Sequence, residues 1–383
     1  MSNPKLALIP SGYKSGKVYS ILPNDATGDF DFDRASVGTR VRKDGLIEEV
    51  TDNVPRLDWY NSNCPSLLLE PERTNYATNN TSMDTYSNSV FGNNPNPTQT
   101  ADYTIAPDGT LTATRLQTSK TGTNYSLISF PTTSNDGSGG GYYTASVYVK
   151  SNTGSSQTIG FYGANSAPNN RTATTEWTRI QFTGQRLGNT KYAYLGAING
   201  TDDDIDISVW GAQIELVDSY PSSLIYTGAS TVTRLKDECL NGGDSDLFDI
   251  TEGTFFVDVT PYDSGNVTVI GLSIGNDTQK LIFQFQANGT QVRVFSSGGV
   301  SSYLSLTFDQ RNKIAVTFKE NEYKFFINGA LVGSDTSATV PSGMDRLNFS
   351  NRTNTANHFE GKVYDTRVYD RVLTEAEAIE LTT

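Results

Sequence analysis

Catalytic and metal-binding side chains are scarce in this chain, which has one histidine and two cysteines in 383 residues. A single histidine, His358, cannot assemble an imidazole-rich zinc centre and leaves little scope for a Ser-His-Asp relay. Its setting, Thr355-Ala356-Asn357-His358-Phe359, reads as the edge of a strand. Cys64 and Cys239 are too few for a disulfide framework, and two free thiols are expected, with a bond between them as the alternative. Basic residues are outnumbered, 29 Lys and Arg against 42 Asp and Glu, and they form no stripe. The resulting charge of -13 makes nucleic acid and anionic membrane surfaces poor partners. Long apolar runs are missing too. Leu6-Ala7-Leu8-Ile9 stops at Pro10, too short for a signal-peptide core, and no stretch reaches a membrane-spanning length. Without heptads there is no coiled-coil stalk, so an oligomer would form through β-domains or the N-terminal segment.

The chain is rich in turn and strand formers, with 34 Gly, 20 Tyr and 18 Phe beside abundant Asn, Thr and Ser. The expected fold class is all-β: an extended N-terminal arm with a hairpin, two antiparallel β-sandwich (jelly-roll) domains and a short C-terminal helix. Residues 1–78 read as the arm, with scattered prolines and one hairpin around Lys43-Asp44-Gly45. Residues 79–222 read as the first sandwich, 223–251 as a linker and 252–383 as the second sandwich. In the first, Tyr143, Ala145, Val147 and Val149 alternate with Tyr142, Thr144, Ser146, Tyr148 and Lys150. In the second, Ile314, Val316 and Phe318 alternate with polar or small residues, and Asn288-Gly289 and Asn328-Gly329 suit type I′ turns. Thr374 and Glu377 form a capping box ahead of Ala378 and Leu381. Gly137-Ser138-Gly139-Gly140-Gly141 has no helix after it to favour phosphate and reads as a loop tip.

Two motifs bracket the first sandwich: Ser66-Leu67-Leu68-Leu69-Glu70-Pro71-Glu72-Arg73-Thr74-Asn75 and Trp210-Gly211-Ala212-Gln213-Ile214-Glu215. Their order, with Asp31-Phe32-Asp33-Arg34 upstream, resembles phage virion proteins. The last third resembles laminin-G-like, concanavalin-A-like sandwiches. The residues are Lys313–Phe318, Tyr323–Gly333 and Phe359–Thr374, with the hairpin and the closing helix at matching spacing. The middle region, through Trp177-Thr178-Arg179 and the Trp210 strand, resembles the jelly rolls of carbohydrate-binding modules.

The resemblance implies a non-enzymatic virion protein, made in the host cytoplasm and displayed as a head fibre, capsid decoration or tail fibre. It would dock on other virion proteins through the arm, act as a homo-oligomer or in many copies, and adhere weakly to cell-surface polysaccharide. A purely structural spacer and a polysaccharide depolymerase are the alternatives. Glycan binding needs aromatic faces beside hydrogen-bonding groups, and the candidates are Tyr142, Tyr148 and Trp177. No cofactor is expected. The sharper reading of Asp202, Asp204 and Asp206, in an otherwise solvated acidic turn, is a structural calcium site. A second acidic turn holds Asp244, Asp246 and Asp249.

Overall fold

The computed structural model describes residues 3–131, 141–163, 169–185, 193–248, 250–275, 278–350 and 357–383. Most of the glycine-rich tip (Gly137–Gly140) and Asp249 lie outside the described residues. The chain is almost entirely antiparallel β-structure and forms two compact units. Unit 1 holds Met1–Lys43, Glu49–Glu72 and Leu235–Thr383; unit 2 holds Asp44–Glu48 and Arg73–Arg234.

Unit 1 is a sandwich of an eight-stranded and a five-stranded sheet. Along the larger run Ala330–Asp335, Glu322–Ile327, Asn312–Lys319, Gly253–Pro261, Gly361–Tyr369, Ser66–Leu69 and Leu57–Asp58, with Leu6–Leu8 also pairing to Gly361–Tyr369. The smaller runs Ser301–Ser305, Gln291–Ser296, Lys280–Phe285, Thr268–Ser273 and Arg346–Asn348. Alternation puts Phe255, Val257, Ile314 and Val316 in the core opposite Leu272, Phe283, Val292 and Val294. The rings of Phe255 and Phe283 stack at 4.8 Å in that core. The helix Glu375–Thr382 has the expected capping box. Thr374 Oγ1 accepts from the Glu377 amide at 3.3 Å, and Glu377 Oε2 from the Thr374 amide at 2.9 Å. Its Ala378 and Leu381 bury against Phe256, Phe326 and Tyr369.

The expected separate attachment arm over 1–78 is instead part of unit 1 up to Glu72. Leu6, Leu8, Leu67 and Leu69 are buried in the unit 1 core, and their strands extend the lectin-like sheet. Short apolar runs that look too sparse for a domain suffice as strands when the sheet they complete is supplied about 290 to 360 residues later. The expected linker 223–251 is likewise divided between the units. Turn chemistry also splits. Asn328 and Gly329 both have positive φ (47° and 79°), as a type I′ turn requires, whereas at Asn288-Gly289 only the glycine does. That loop closes instead with the Gly289 amide donating to Gln286 O at 3.2 Å.

A buried ionic network holds unit 1 where the chain leaves and re-enters it. Arg34 donates to Asp237 at 3.0 Å, Arg56 to Glu70 at 2.6 Å and also to Asp237, and the Glu70 amide to Asp237 at 2.9 Å. All four residues are at most 3% exposed. Burial alone would lower the Arg56 pKa, but the adjacent Asp237 and Glu70 overcome it and raise it. Arg34 also donates to the carbonyls of Ser36, Thr51 and Val54. Asp237→Ala leaves two arginines short of their carboxylate in a dry site and should cost unit 1 about 3–5 kcal/mol. Denaturant unfolding checks this; a loss below about 1 kcal/mol would show the network to be dispensable.

Unit 2 packs two five-stranded sheets face to face. One runs Ser87–Phe91, Tyr125–Ser129, Ala193–Ala197, Gln157–Gly163 and Asn170–Ala173. The other runs Thr98–Thr104, Ala113–Ser119, Asp204–Glu215, Tyr142–Ser151 and Thr178–Gln185. Tyr143, Ala145, Val147 and Val149 face the core, as their alternation predicts.

Candidate functional site

The last residue of the first motif, Asn75, meets the second motif inside unit 2, and what they make is a structural clasp. Asn75 donates to the Ala212 and Ile225 carbonyls at 3.1 and 2.9 Å and accepts from the Ile214 amide at 3.0 Å. Gln213 accepts from the Ile225 amide at 2.8 Å, and Glu215 accepts from Ser222 N and Oγ at 2.9 and 2.5 Å. Gly211, at φ +68°, has a Cβ position only 3.1 Å from the Tyr148 ring, so a larger residue would be both strained and crowded. Trp210 is fully buried and donates to Thr112 Oγ1 at 3.1 Å.

This clasp decides the fate of the predicted glycan platform. The polar face of the strand Tyr142–Ser151 is crossed by the returning chain. Thr144 donates to the Val217 and Ser219 carbonyls at 3.1 and 2.8 Å, and Arg179 to the Ser222 carbonyl at 2.7 Å. Tyr148 is half-buried, 5.8 Å from the Trp210 ring and with Arg179 5.5 Å above it. Trp177 is half-buried and donates to the Ile105 carbonyl at 3.1 Å. Tyr142 is 45% exposed but stands six residues from Tyr148, about 20 Å along the strand. Tyr142, Tyr148 and Trp177 therefore do not converge on one ligand surface.

The aspartates of the expected calcium site disperse in the same way. Asp202 accepts from the Thr158 amide at 3.0 Å, Asp204 from Ser119 Oγ at 2.6 Å, and Asp206 from Arg115 Nε and Asn152 Nδ2, each at 2.9 Å. The Arg115 guanidinium holds the Asp206 carboxyl below its usual range, against a smaller opposing push from burial. Among the described residues no group of three His, Cys, Asp or Glu is placed to hold a metal ion. Cys64 is exposed, Cys239 is buried, and both are free thiols; burial pushes the Cys239 thiol well up. His358 sits 3.0 Å from Lys236 Nζ and 3.3 Å from Glu238.

Sequence reasoning missed the outward face of the five-stranded sheet in unit 1. Val292 and Val294 point into the core, so Arg293 and Phe295 point out. Register sets Arg293 opposite Gln284 on one side and Tyr303 on the other, and Phe295 opposite Ser301. The guanidinium carbon lies 4.5 Å from the Phe295 centroid and 5.5 Å from that of Tyr303, and Lys280 Nζ lies 5.4 Å from the Phe295 centroid. Arg293 Nε and Nη2 donate to Ser301 Oγ at 3.1 and 2.9 Å, and Nη1 to Gln284 Oε1 at 3.3 Å. Tyr303 is 55% exposed. The result is a surface with an aromatic face, a hydroxyl-rich edge and oriented N–H donors, the elements a sugar ring recognises. The signal available in the sequence was the alternation Val292-Arg293-Val294-Phe295, which turns Arg293 and Phe295 outward when the valines face in.

A second feature is a pocket of about 400 Å³ in unit 1, lined by Arg311, Lys313, Asn328, Thr382 and Thr383. Its Arg311 already pairs with Asp258 through two bonds of 2.7 Å and stacks 4.2 Å above Tyr364.

Residues 249–378, about a third of the chain, match the family model of the concanavalin A-like lectin/glucanases superfamily. No curated protein matches the chain. Among solved structures, a Ruminococcus gnavus IT-sialidase CBM40 bound to α2,3-sialyllactose is 18% identical, covering 38% of this chain and 94% of its own, with a TM-score of 0.32. Domain 4 of AbnA, a GH43 arabinanase from Geobacillus stearothermophilus, in complex with arabinotriose, is 16% identical over 40% of this chain and 77% of its own, with a TM-score of 0.32. A heptameric SAP-like pentraxin from Limulus polyphemus is 11% identical over 35% and 70%, at 0.28.

With each acidic side chain of the 202–206 turn satisfied by protein donors, EDTA should leave the melting temperature unchanged. A fall of several degrees on chelation, restored by calcium, would reinstate a metal site.

Proposed function

We propose that the chain is a non-enzymatic, glycan-binding protein displayed on a phage particle, and that it binds saccharide on the outward face of the five-stranded sheet of unit 1. The observation that carries the binding half is the stack of Arg293 on Phe295 and Tyr303, flanked by Gln284 and Ser301. Such a face offers ring stacking and fixed polar partners together, while the core behind it keeps it rigid. A site on a broad sheet rather than in a deep cleft suits weak binding multiplied over many copies.

The virion half rests on the order of the pieces in the sequence: the Ser66–Asn75 junction, the Trp210–Glu215 strand and the lectin-like last third. Attachment to the particle falls to surfaces other than the N-terminal strands, because Leu6–Leu8 and Ser66–Leu69 are committed to the unit 1 sheet.

A glycan array probed with the intact chain should give saturable binding that Tyr303→Ala weakens by about tenfold without lowering the melting temperature. Array-wide silence, or binding indifferent to Tyr303→Ala, would refute the sheet-face assignment. Mass spectrometry of purified particles tests the display reading, and absence of the chain from them would refute it.

A further inference from the structure

Resting on the reading of that sheet face as a saccharide site, we infer that its ligand is an anionic saccharide, one carrying a carboxylate or a sulfate ester. The first ground is composition. Asp and Glu make up 42 of 383 residues, yet the stretch 278–308, which supplies three adjacent strands of the sheet, contains none. It does contain Lys280 and Arg293. In a chain of net charge -13, an acid-free stretch of this length carrying two cations is a local reversal of sign.

The second ground is the state of Arg293. It forms no ion pair among the described residues, and its recorded acceptors, Ser301 Oγ and Gln284 Oε1, are neutral. Other arginines of unit 1 contrast with it. Arg346 on the same sheet face is paired to Asp345 at 2.5 and 2.7 Å, Arg311 to Asp258, and Arg367 to Asp365. A guanidinium has five N–H donors, so the three bonds made leave one N–H on each terminal nitrogen for an incoming acceptor. Carboxylate and sulfate oxygens are the acceptors a guanidinium prefers, and its weak hydration makes their pairing less costly than for an ammonium.

The third ground is geometry. Arg293 lies 4.5 Å and Lys280 5.4 Å from the same Phe295 ring, so the two cations are within about 10 Å of each other. An anion lying within reach of both cations would gain from each charge. Tyr303, beside Arg293, is left to stack on the sugar ring that carries the charge.

The test compares matched probes on the intact chain by isothermal titration: oligogalacturonate, dextran sulfate, and neutral dextran and cello-oligosaccharide. An anionic probe should bind at least about tenfold more tightly than a neutral one, and Arg293→Gln should remove that preference while Tyr303→Ala weakens all binding. Lys280→Gln is the second variant, should Arg293→Gln perturb folding, and it should reduce the same preference. Binding of oligogalacturonate alone assigns a carboxylate ligand, and binding of dextran sulfate alone assigns a sulfate; either supports the inference. Binding of neutral probes that depends on Tyr303 but ignores charge would overturn the anionic class and leave the saccharide site standing. Failure of every probe and of the glycan array would overturn both.

Discussion

The fold of unit 1 depends on one buried carboxylate, Asp237. It is the acceptor shared by Arg34, Arg56 and the Glu70 amide, three groups drawn from the N-terminal 70 residues. The chain departs into unit 2 after Glu72 and returns at Leu235, so this network sits at both junctions. Charges with so little exposure persist only when fully paired, which makes the network intolerant of partial loss. It also explains why residues 1–72 cannot be a detachable arm. Their strands complete the sheet, and their arginines neutralise an acid that belongs to the C-terminal segment.

Unit 2 closes by an analogous device in which side-chain amides and one carboxylate hold backbone groups. Arg73–Asn75 pairs with Val232–Arg234, and Asn75, Gln213 and Glu215 satisfy backbone groups of the segment that returns after the last long strand. That return covers the polar face on which Tyr148 lies. Arg73–Asn75 and Trp210–Glu215 therefore serve closure of unit 2, Ser66–Leu69 completes the unit 1 sheet, and the proposed binding face is one that neither motif supplies.

Much of this architecture was legible in the sequence. Alternation identified Tyr142–Ser151 and Asn312–Lys319, and Asn328-Gly329 and Thr374-x-x-Glu377 fixed a turn and a helix start by purely local chemistry. Ser301–Ser305 was not legible, since a serine-rich run carries no strand signal of its own and is held by its partner Gln291–Ser296. The pairing of Leu6–Leu8 with Gly361–Tyr369 was equally hidden, because contacts this remote leave no local pattern. For the site, alternation shows which residues leave the core but not whether another layer covers them. Tyr148 and Arg293 both alternate with core residues; the returning chain partly covers the first, and the second lies beside an exposed tyrosine.

The proposed site is a location and a chemistry: saccharide on the outward face of the strands Lys280–Phe285, Gln291–Ser296 and Ser301–Ser305. A crystal structure of the intact chain soaked with oligogalacturonate is its most direct test. The expected result is a sugar ring against Tyr303 with its carboxylate on Arg293. An oligosaccharide ordered on unit 2, or in the Arg311–Lys313 pocket, with this face empty, would contradict it.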